Sequence, residues 1–357
     1  MTTTATVRTG SPDPKLSRDE FRARYRKQFV DPAFDPLQLQ IAQLEDAAWD
    51  AYDHHRKAPR TTLAGPGHAD PDYGLSNDWI ATRAAIRDAQ VRHDAAGSPR
   101  ILVVSASARN EHTCPGEYSK TSRLAAAVVE ALHAAGCLTD ELDLSRMTAE
   151  YGKTIYPCKG CVSTAMPLCH WPCSCYPNHS LGQTRDWMAD IYPLWVEAHG
   201  IVIVTPVYWY QAPAVLKLMI DRLVCSDGGN PDPSSTQGKD AKLAKALELA
   251  SWPYPRHLAG RVFGVVVHGD AGGAETLRRN LVDWLSESEL ELAGGSGELD
   301  RYIGYMEPYA TSHDALDDDA AVVEEARNVA RCVAERVAER RSGVPRPGAT
   351  LKNPRPK

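Results

Sequence analysis

From Ile101 onward, short unbroken apolar runs alternate with stretches whose apolar residues recur every three or four positions. A short run that is apolar throughout, as at Ile101 to Val104 and Ile201 to Thr205, suits a parallel strand covered on both faces. Arg261 to His268 supplies a further strand, Leu138 to Leu144 a loosely alternating one, and Leu290 to Ala293 a weak fifth. Between them, the spacing predicts amphipathic helices. One carries Leu124, Val128, Ala131 and Ala135 with Gly136 as its cap, and another Trp187, Ile191, Leu194 and Ala198, closed by Gly200. Two more carry Val215, Leu218, Met219 and Leu223, then Leu277, Leu281, Trp284 and Leu285. The last starts at Asp317 to Asp319, aligns Val322, Ala326, Val329, Val333 and Val337, and puts acid first and arginine last, as its dipole favours. Five strands in such alternation predict an α/β fold with a doubly wound parallel sheet and helices on both faces. Ligands then bind beyond the carboxyl ends of the strands.

Three divisions are expected: a helical N-terminal extension over 1–97, the sheet domain over 98–340, and a basic tail over 341–357. In the extension, Leu37, Ile41, Leu44 and Ala48 follow Pro36 at helical spacing, and a second helix runs from about Ser76 to His93 with Trp79, Ile86 and Ala89 on one stripe. The Pro/Gly-rich stretch 58–74 between them is not expected to be regular. Two helices without strands cannot build their own core, so they are expected to pack on the sheet domain or on a second copy, making a homo-oligomer. From Arg340 to Lys357 there are six basic residues, four prolines and no acid, which predicts disorder.

The chain has 357 residues, 43% of them hydrophobic and 24% charged, with a net charge of -6. That balance favours neither nucleic acid nor a membrane surface, and no run approaches a membrane span, so a cytoplasmic protein with a small-molecule partner is expected.

The first strand leads into Ser105-Ala-Ser107-Ala-Arg109, and the next helix opens with Ser119-Lys120-Thr121-Ser122. Hydroxyls, an arginine and a helix N-terminus converging after a buried strand suit a compact dianion such as a terminal monophosphate. The alternative is that Ser and Thr only cap the helix. After the third strand, Pro206-Val207-Tyr208-Trp209-Tyr210 places three aromatics on one loop, either as core packing or as a flat wall for a ring. The fourth strand ends in His268-Gly269-Asp270-Ala271-Gly272-Gly273, where glycine lets backbone approach a ligand. His268 is either a polar group at the site or an ordinary strand-end histidine.

These loops, with Thr205-Pro206-Val207-Tyr208-Trp209 and Leu216-Lys217 through Asp221-Arg222, resemble the NADPH-dependent FMN reductase branch of the flavodoxin-like superfamily over about two-thirds of the chain. The resemblance implies strand order 2-1-3-4-5 and an FMN site. In that family a Gly-Ser-x-Arg loop and an Asn-Thr pair hold the FMN phosphate; here Ala106 replaces the glycine, Ser107, Arg109 and Thr121 match, and Lys120 stands for the asparagine. The family's Ser-Pro-x-Tyr-Trp element against the flavin ring is matched with Thr205 in place of serine, and its third flavin loop falls at His268, Gly269, Asp270 and Gly273.

Five cysteines crowd one segment, Cys158-x2-Cys161-x7-Cys169-x3-Cys173-x-Cys175. Soft ligands so spaced suit an iron-sulfur cluster or zinc, and Tyr156 to Cys161 is similar to the opening of the cluster motif of iron-sulfur flavoproteins. Thr164 stands where that motif has its third cysteine, so reduced thiols are the alternative.

The resemblance implies an oxidoreductase that passes electrons from NAD(P)H through FMN to a small acceptor: a quinone, a nitro or azo compound, or free flavin. The flavin carries the chemistry, so no catalytic side chain is expected. The rival is a non-enzymatic electron carrier of the flavodoxin or iron-sulfur flavoprotein type; flavodoxins are usually shorter and more acidic than this chain.

Overall fold

The computed structural model describes residues 6–114, 116–345, 348–352 and 354–355. Pro115 and the remaining ends of both termini, included in the readings above, lie outside the described residues. A hairpin of β1 (Thr61–Leu63) and β2 (Gly74–Ser76) precedes the main sheet of β3 (Arg100–Ser105), β4 (Leu138–Asp143), β5 (Gly200–Pro206), β6 (Val262–Gly269), β7 (Glu291–Leu292) and β8 (Glu298–Tyr302).

The apolar runs become the buried middle of the sheet. Every residue of β5 and β6 is buried, while β4, the looser alternator, is an edge strand with Leu142 turned inward. All pairings of the main sheet are parallel, with Ile101 beside both Thr139 and Gly200, and Gly200 beside Val262. The order β4-β3-β5-β6 followed by β7 and β8 is the expected 2-1-3-4-5, with the fifth position built from two short segments, both paired to β6. Only the first segment was legible. In β8 the outward side carries Glu298 and Asp300, both paired with Arg278, so no apolar run marks it.

One face of the sheet is covered by the helices Lys120–Ala134 and Ala320–Ser342. Leu124, Val128 and Leu132 of the first, with Val322, Val329, Val333 and Val337 of the second, close over Ile101, Val103, Val202 and Val266. Each such buried aliphatic side chain contributes about 1.5–3 kcal/mol. Asp319 caps the second helix through Val322 N–H at 3.1 Å. Gly200 is not the helix stop expected from its position. The preceding helix, Met188–Glu197, ends at Ala198, and Gly200 is the first residue of β5, where a Cβ would lie 2.9–3.0 Å from Val333, Ile101 and Val337.

The chain forms two compact units: residues 82–158, 187–229 and 253–357 around the main sheet, and a smaller one from residues 1–81, 159–186 and 230–252. The helix Gln38–Asp53 therefore shares a unit with two later stretches of the same chain, which the sequence reading had put in the sheet domain, whereas most of the helix Asn77–Asp94 belongs to the unit around the main sheet, where His93 Nδ1 lies 3.3 Å from Glu197 O. Within the smaller unit, Glu45 is buried and held by Arg22 Nε at 3.1 Å and Arg26 Nε at 2.6 Å. Trp171 N–H donates to Asn230 O and Asn230 N–H to Cys169 O, both at 2.8 Å, stitching the two later stretches together. The stretch 58–74 contains most of the β1–β2 hairpin, and the helices Arg18–Tyr25 and Ala241–Leu249 were not anticipated. β1 is wholly exposed, so no burial alternation could reveal it.

The described part of the tail lies against the last helix: Arg355 is 2.6 Å from Asp319 and 3.2 Å from Glu325, and Asn328 Nδ2 donates to Lys352 O at 2.5 Å. Arg355 thus meets acids near the helix start, which composition alone did not disclose. Among the described residues no helix is long and apolar enough to cross a membrane.

Candidate functional site

Three loops leave the carboxyl ends of β3, β5 and β6 and meet around a cavity of about 510 Å³. Ser107, Arg109, Ser119, Lys120 and Thr121 come from the first, Pro206, Val207, Tyr208 and Trp209 from the second, and His268, Gly269 and Asp270 from the third. Two expected residues stand apart. The Ser105 side chain borders a different cavity, beside Asn110 and Glu141, because strand alternation turns it away. Gly273 is not in the cavity lining: it has φ +111°, and a Cβ there would sit 2.8 Å from Tyr210 Cα, so its bareness admits the aromatic loop rather than a ligand.

The first loop is closed by its own residues. Ser107 Oγ accepts from Arg109 N–H at 3.1 Å, and Ser119 caps the helix through Ser122 N–H at 3.1 Å. The remaining first-turn N–H groups and the positive end of the helix dipole favour an anion there. Arg109 pairs with Glu117 at 3.0 Å through Nη2, while its Nε is buried with no hydrogen-bond partner.

Lys120 departs from the phosphate donor expected of it. Only 9% exposed, its ammonium donates to Ile303 O at 3.2 Å and Ser312 O at 3.4 Å, and faces Asp270 at 3.7 Å. Burial lowers its pKa, against the pull of Asp270. It fastens the segment after β8 to this helix.

Thr121 Oγ1 lies 2.8 Å from His268 Nε2. Burial, aided by Lys120 and His313, pushes His268 down to about 3, so its imidazole is neutral at ordinary pH. Its Nδ1 is buried without a hydrogen-bond partner. An unsatisfied buried polar atom costs about 1–3 kcal/mol. Arg109 Nε and His268 Nδ1, both on residues lining one cavity, are therefore suited to a polar ligand.

The second loop is a two-residue turn. Tyr208 and Gln211 exchange backbone hydrogen bonds at 3.0 Å, and Trp209 and Tyr210 between them have φ of 48° and 64°. Such turns favour Asn-Gly, because a side chain in the left-handed region is strained. Here two aromatics occupy it, and Trp209 is 94% exposed. Tyr208 Oη approaches Ser107 Oγ at 3.3 Å and joins this loop to the first.

Five lining residues were not singled out for the site in advance: Tyr210, Ala271, Gly272, Tyr309 and His313. The first three fall within the two loop motifs quoted above; Tyr309 and His313 lie in a stretch without periodicity that only the tertiary fold delivers.

The cysteine segment does not form the expected metal centre. Among the described residues, no group of three or more His, Cys, Asp or Glu is placed to hold a metal ion. The boundary between the units falls just after Cys158. Cys161 and Cys175 bring their sulfurs to 3.5 Å, whereas Cys169 is tied by its backbone to Asn230.

Residues 99–293, more than half of the chain, match the family described as NADPH-dependent FMN reductase. The chain belongs to that family. The match spans all three cavity loops except Tyr309 and His313, and makes this FMN reductase family member an oxidoreductase by descent. The comparison with curated proteins returned no match. Among solved structures, RosB with bound intermediate OHC-RP is 13% identical with a TM-score of 0.49, covering 69% of this chain and 81% of its own. The NAD(P)H:quinone oxidoreductase from Methanothermobacter marburgensis is 15% identical with a TM-score of 0.41, covering 66% of this chain and 98% of its own. The azoreductase AzrA is 16% identical with a TM-score of 0.37, covering 65% and 98%.

Proposed function

We propose that this chain holds FMN in the cavity at the ends of β3, β5 and β6 and passes electrons from NADPH to a small acceptor. The observation that carries the reading is one cavity with an anion-seeking end and an aromatic end, in a member of the FMN reductase family. At the first, the unpartnered Arg109 Nε meets the N-terminus of the helix Lys120–Ala134. At the second stands the Trp209-Tyr210 turn. When bound, FMN supplies a ring that accepts and releases two electrons.

The residues then position and shield. Arg109 and the helix N-terminus hold the phosphate, while Ser107 keeps the loop closed around it. Tyr208, hydrogen-bonded to Ser107, fixes the aromatic turn, so Trp209 and Tyr210 can cover the ring and exclude water. Neutral His268, held by Thr121, adds no charge to the wall, and its Nδ1 is available to a polar edge of the ligand. No side chain here is required to move a proton. The acceptor belongs to the class of quinones, nitro or azo compounds, or free flavins.

Flavin fluorescence in a titration with FMN tests the reading. Saturable uptake is expected, weakened about 10- to 100-fold in Arg109→Ala through loss of a charge-assisted contact. FMN-loaded chain is then expected to oxidise NADPH when a quinone is supplied. Failure to take up FMN even at high concentration refutes the proposal.

A further inference from the structure

A second cavity, of about 360 Å³, lies wholly within the smaller unit. Its size falls in the range of small-molecule sites, roughly 300–1,000 Å³. Tyr73, Trp79 and Tyr176 give it aromatic walls, and Arg56, Lys57 and Lys239 give it positive charge, with no carboxylate side chain in the lining. The aromatic walls are held in place. Trp79 Nε1 donates to Pro172 O at 2.9 Å, and Lys159 Nζ stands 5.0 Å from the Tyr176 ring centre.

Two of these three cations lack a carboxylate partner. Arg56 pairs with Asp50, yet among the described residues neither Lys57 nor Lys239 has a carboxylate within ion-pair distance. The nearby acids are engaged elsewhere: Asp70 accepts from Gln237 Nε2 at 2.6 Å, and Asp232 from Ala69 N–H at 2.8 Å. Burial lowers Lys57 to about 8, with Lys239 and Lys159 adding to it against the sulfurs of Cys175 and Cys173. The hydrogen bond to Cys161 raises Cys175, so that thiol stays neutral and cannot serve as counter-ion. A chain with a net charge of -6 has no general surplus of cations to scatter here. Ser76, on β2 at the cavity wall, has a buried hydroxyl with no hydrogen-bond partner.

We propose that this cavity is a second ligand site, for a planar aromatic ring bearing a carboxylate or phosphate. The ring lies among Tyr73, Trp79 and Tyr176; the anion meets Lys57, Lys239 and the Ser76 hydroxyl. Each of these cations then gains the partner that the protein does not supply. The inference is independent of FMN binding in the main unit.

Calorimetry on the full-length chain tests it, with naphthoate and AMP as probes and naphthamide as the neutral counterpart, in the unaltered chain and in Arg109→Ala. One-to-one binding of naphthoate or AMP is expected, with the dissociation constant raised about tenfold or more in Lys239→Glu and in Lys57→Met. Lys239 is exposed, so its variant decides should the Lys57 variant fail to fold. Tighter naphthoate identifies an aromatic acid and tighter AMP a nucleotide as the ligand class. Arg109→Ala, in the other unit, is expected to leave this binding unchanged. The proposal is overturned by absence of heat with both probes at millimolar concentration, by equal binding of naphthamide, by affinity indifferent to Lys239→Glu, or by loss of binding in Arg109→Ala.

Discussion

Thr121 Oγ1 lies 2.8 Å from His268 Nε2, so the opening turn of a sheet helix is bonded to the end of β6 within the cavity wall. Burial, aided by Lys120 and His313, holds His268 there at about 3, whereas an unfolded histidine titrates at about 6.5. Between those values the unfolded chain binds a proton and the folded chain does not. Stability is therefore fully present above the unfolded value and is lost as pH falls, by up to about 1.4 kcal/mol per pH unit for each such histidine. His170, also about 3, and His199, about 4, act in the same direction. Urea midpoints are expected to drop between about pH 7 and about pH 5, with a shallower drop in His268→Gln. Equal slopes in the two proteins would show that His268 does not contribute.

Lys120 is expected to behave as a structural tie more than as a phosphate ligand. Lys120→Met leaves Ile303 O and Ser312 O without their donor, a loss of about 1–3 kcal/mol readable by thermal or urea unfolding. FMN affinity in this variant should fall less than in Arg109→Ala. The reverse ranking in a flavin titration would reassign the lysine to the phosphate.

Trp209 pays for an unfavourable backbone with almost no packing, being 94% exposed at a φ of 48°. Trp209→Asn should raise stability by about 0.5–1 kcal/mol, since asparagine tolerates the left-handed region. The same change should weaken binding of the flavin ring. Unchanged or lower stability in chemical denaturation would mean that the indole is held by interactions the fold does not reveal.

Gly200→Ala puts a methyl group 2.9–3.0 Å from Val333, Ile101 and Val337. Overpacking between the last helix and the sheet should destabilise the chain by about 1–3 kcal/mol. A melting temperature equal to that of the unaltered protein would show that the last helix yields at little cost.

The sheet was legible where burial is total. Ile201 to Thr205 can only be a covered strand, and a helix with Val322, Ala326, Val329 and Val333 in register can only lie on it. β8 was hidden because Leu299 is its only fully buried residue and its acids face Arg278. The cavity was legible from the three strand ends, because a parallel sheet gathers them at one edge. Lys120 lined that cavity as expected, but its carbonyl partners at 303 and 312 are remote in sequence, so its different task could not be read. The cysteines misled for a related reason: spacing along the chain says nothing about a unit boundary that falls within the motif.

The smaller unit draws on residues 1–81, 159–186 and 230–252, and this interleaving imposes an order on biosynthesis. The segment made first leaves the ribosome with Ile41 and Trp79 bare, and its last partner emerges only after residue 252 has been added. By then β3, β4 and β5 have all been translated while β6 has not. The earliest of the three segments must therefore keep its apolar residues uncovered while the two stretches that complete its unit are still being made.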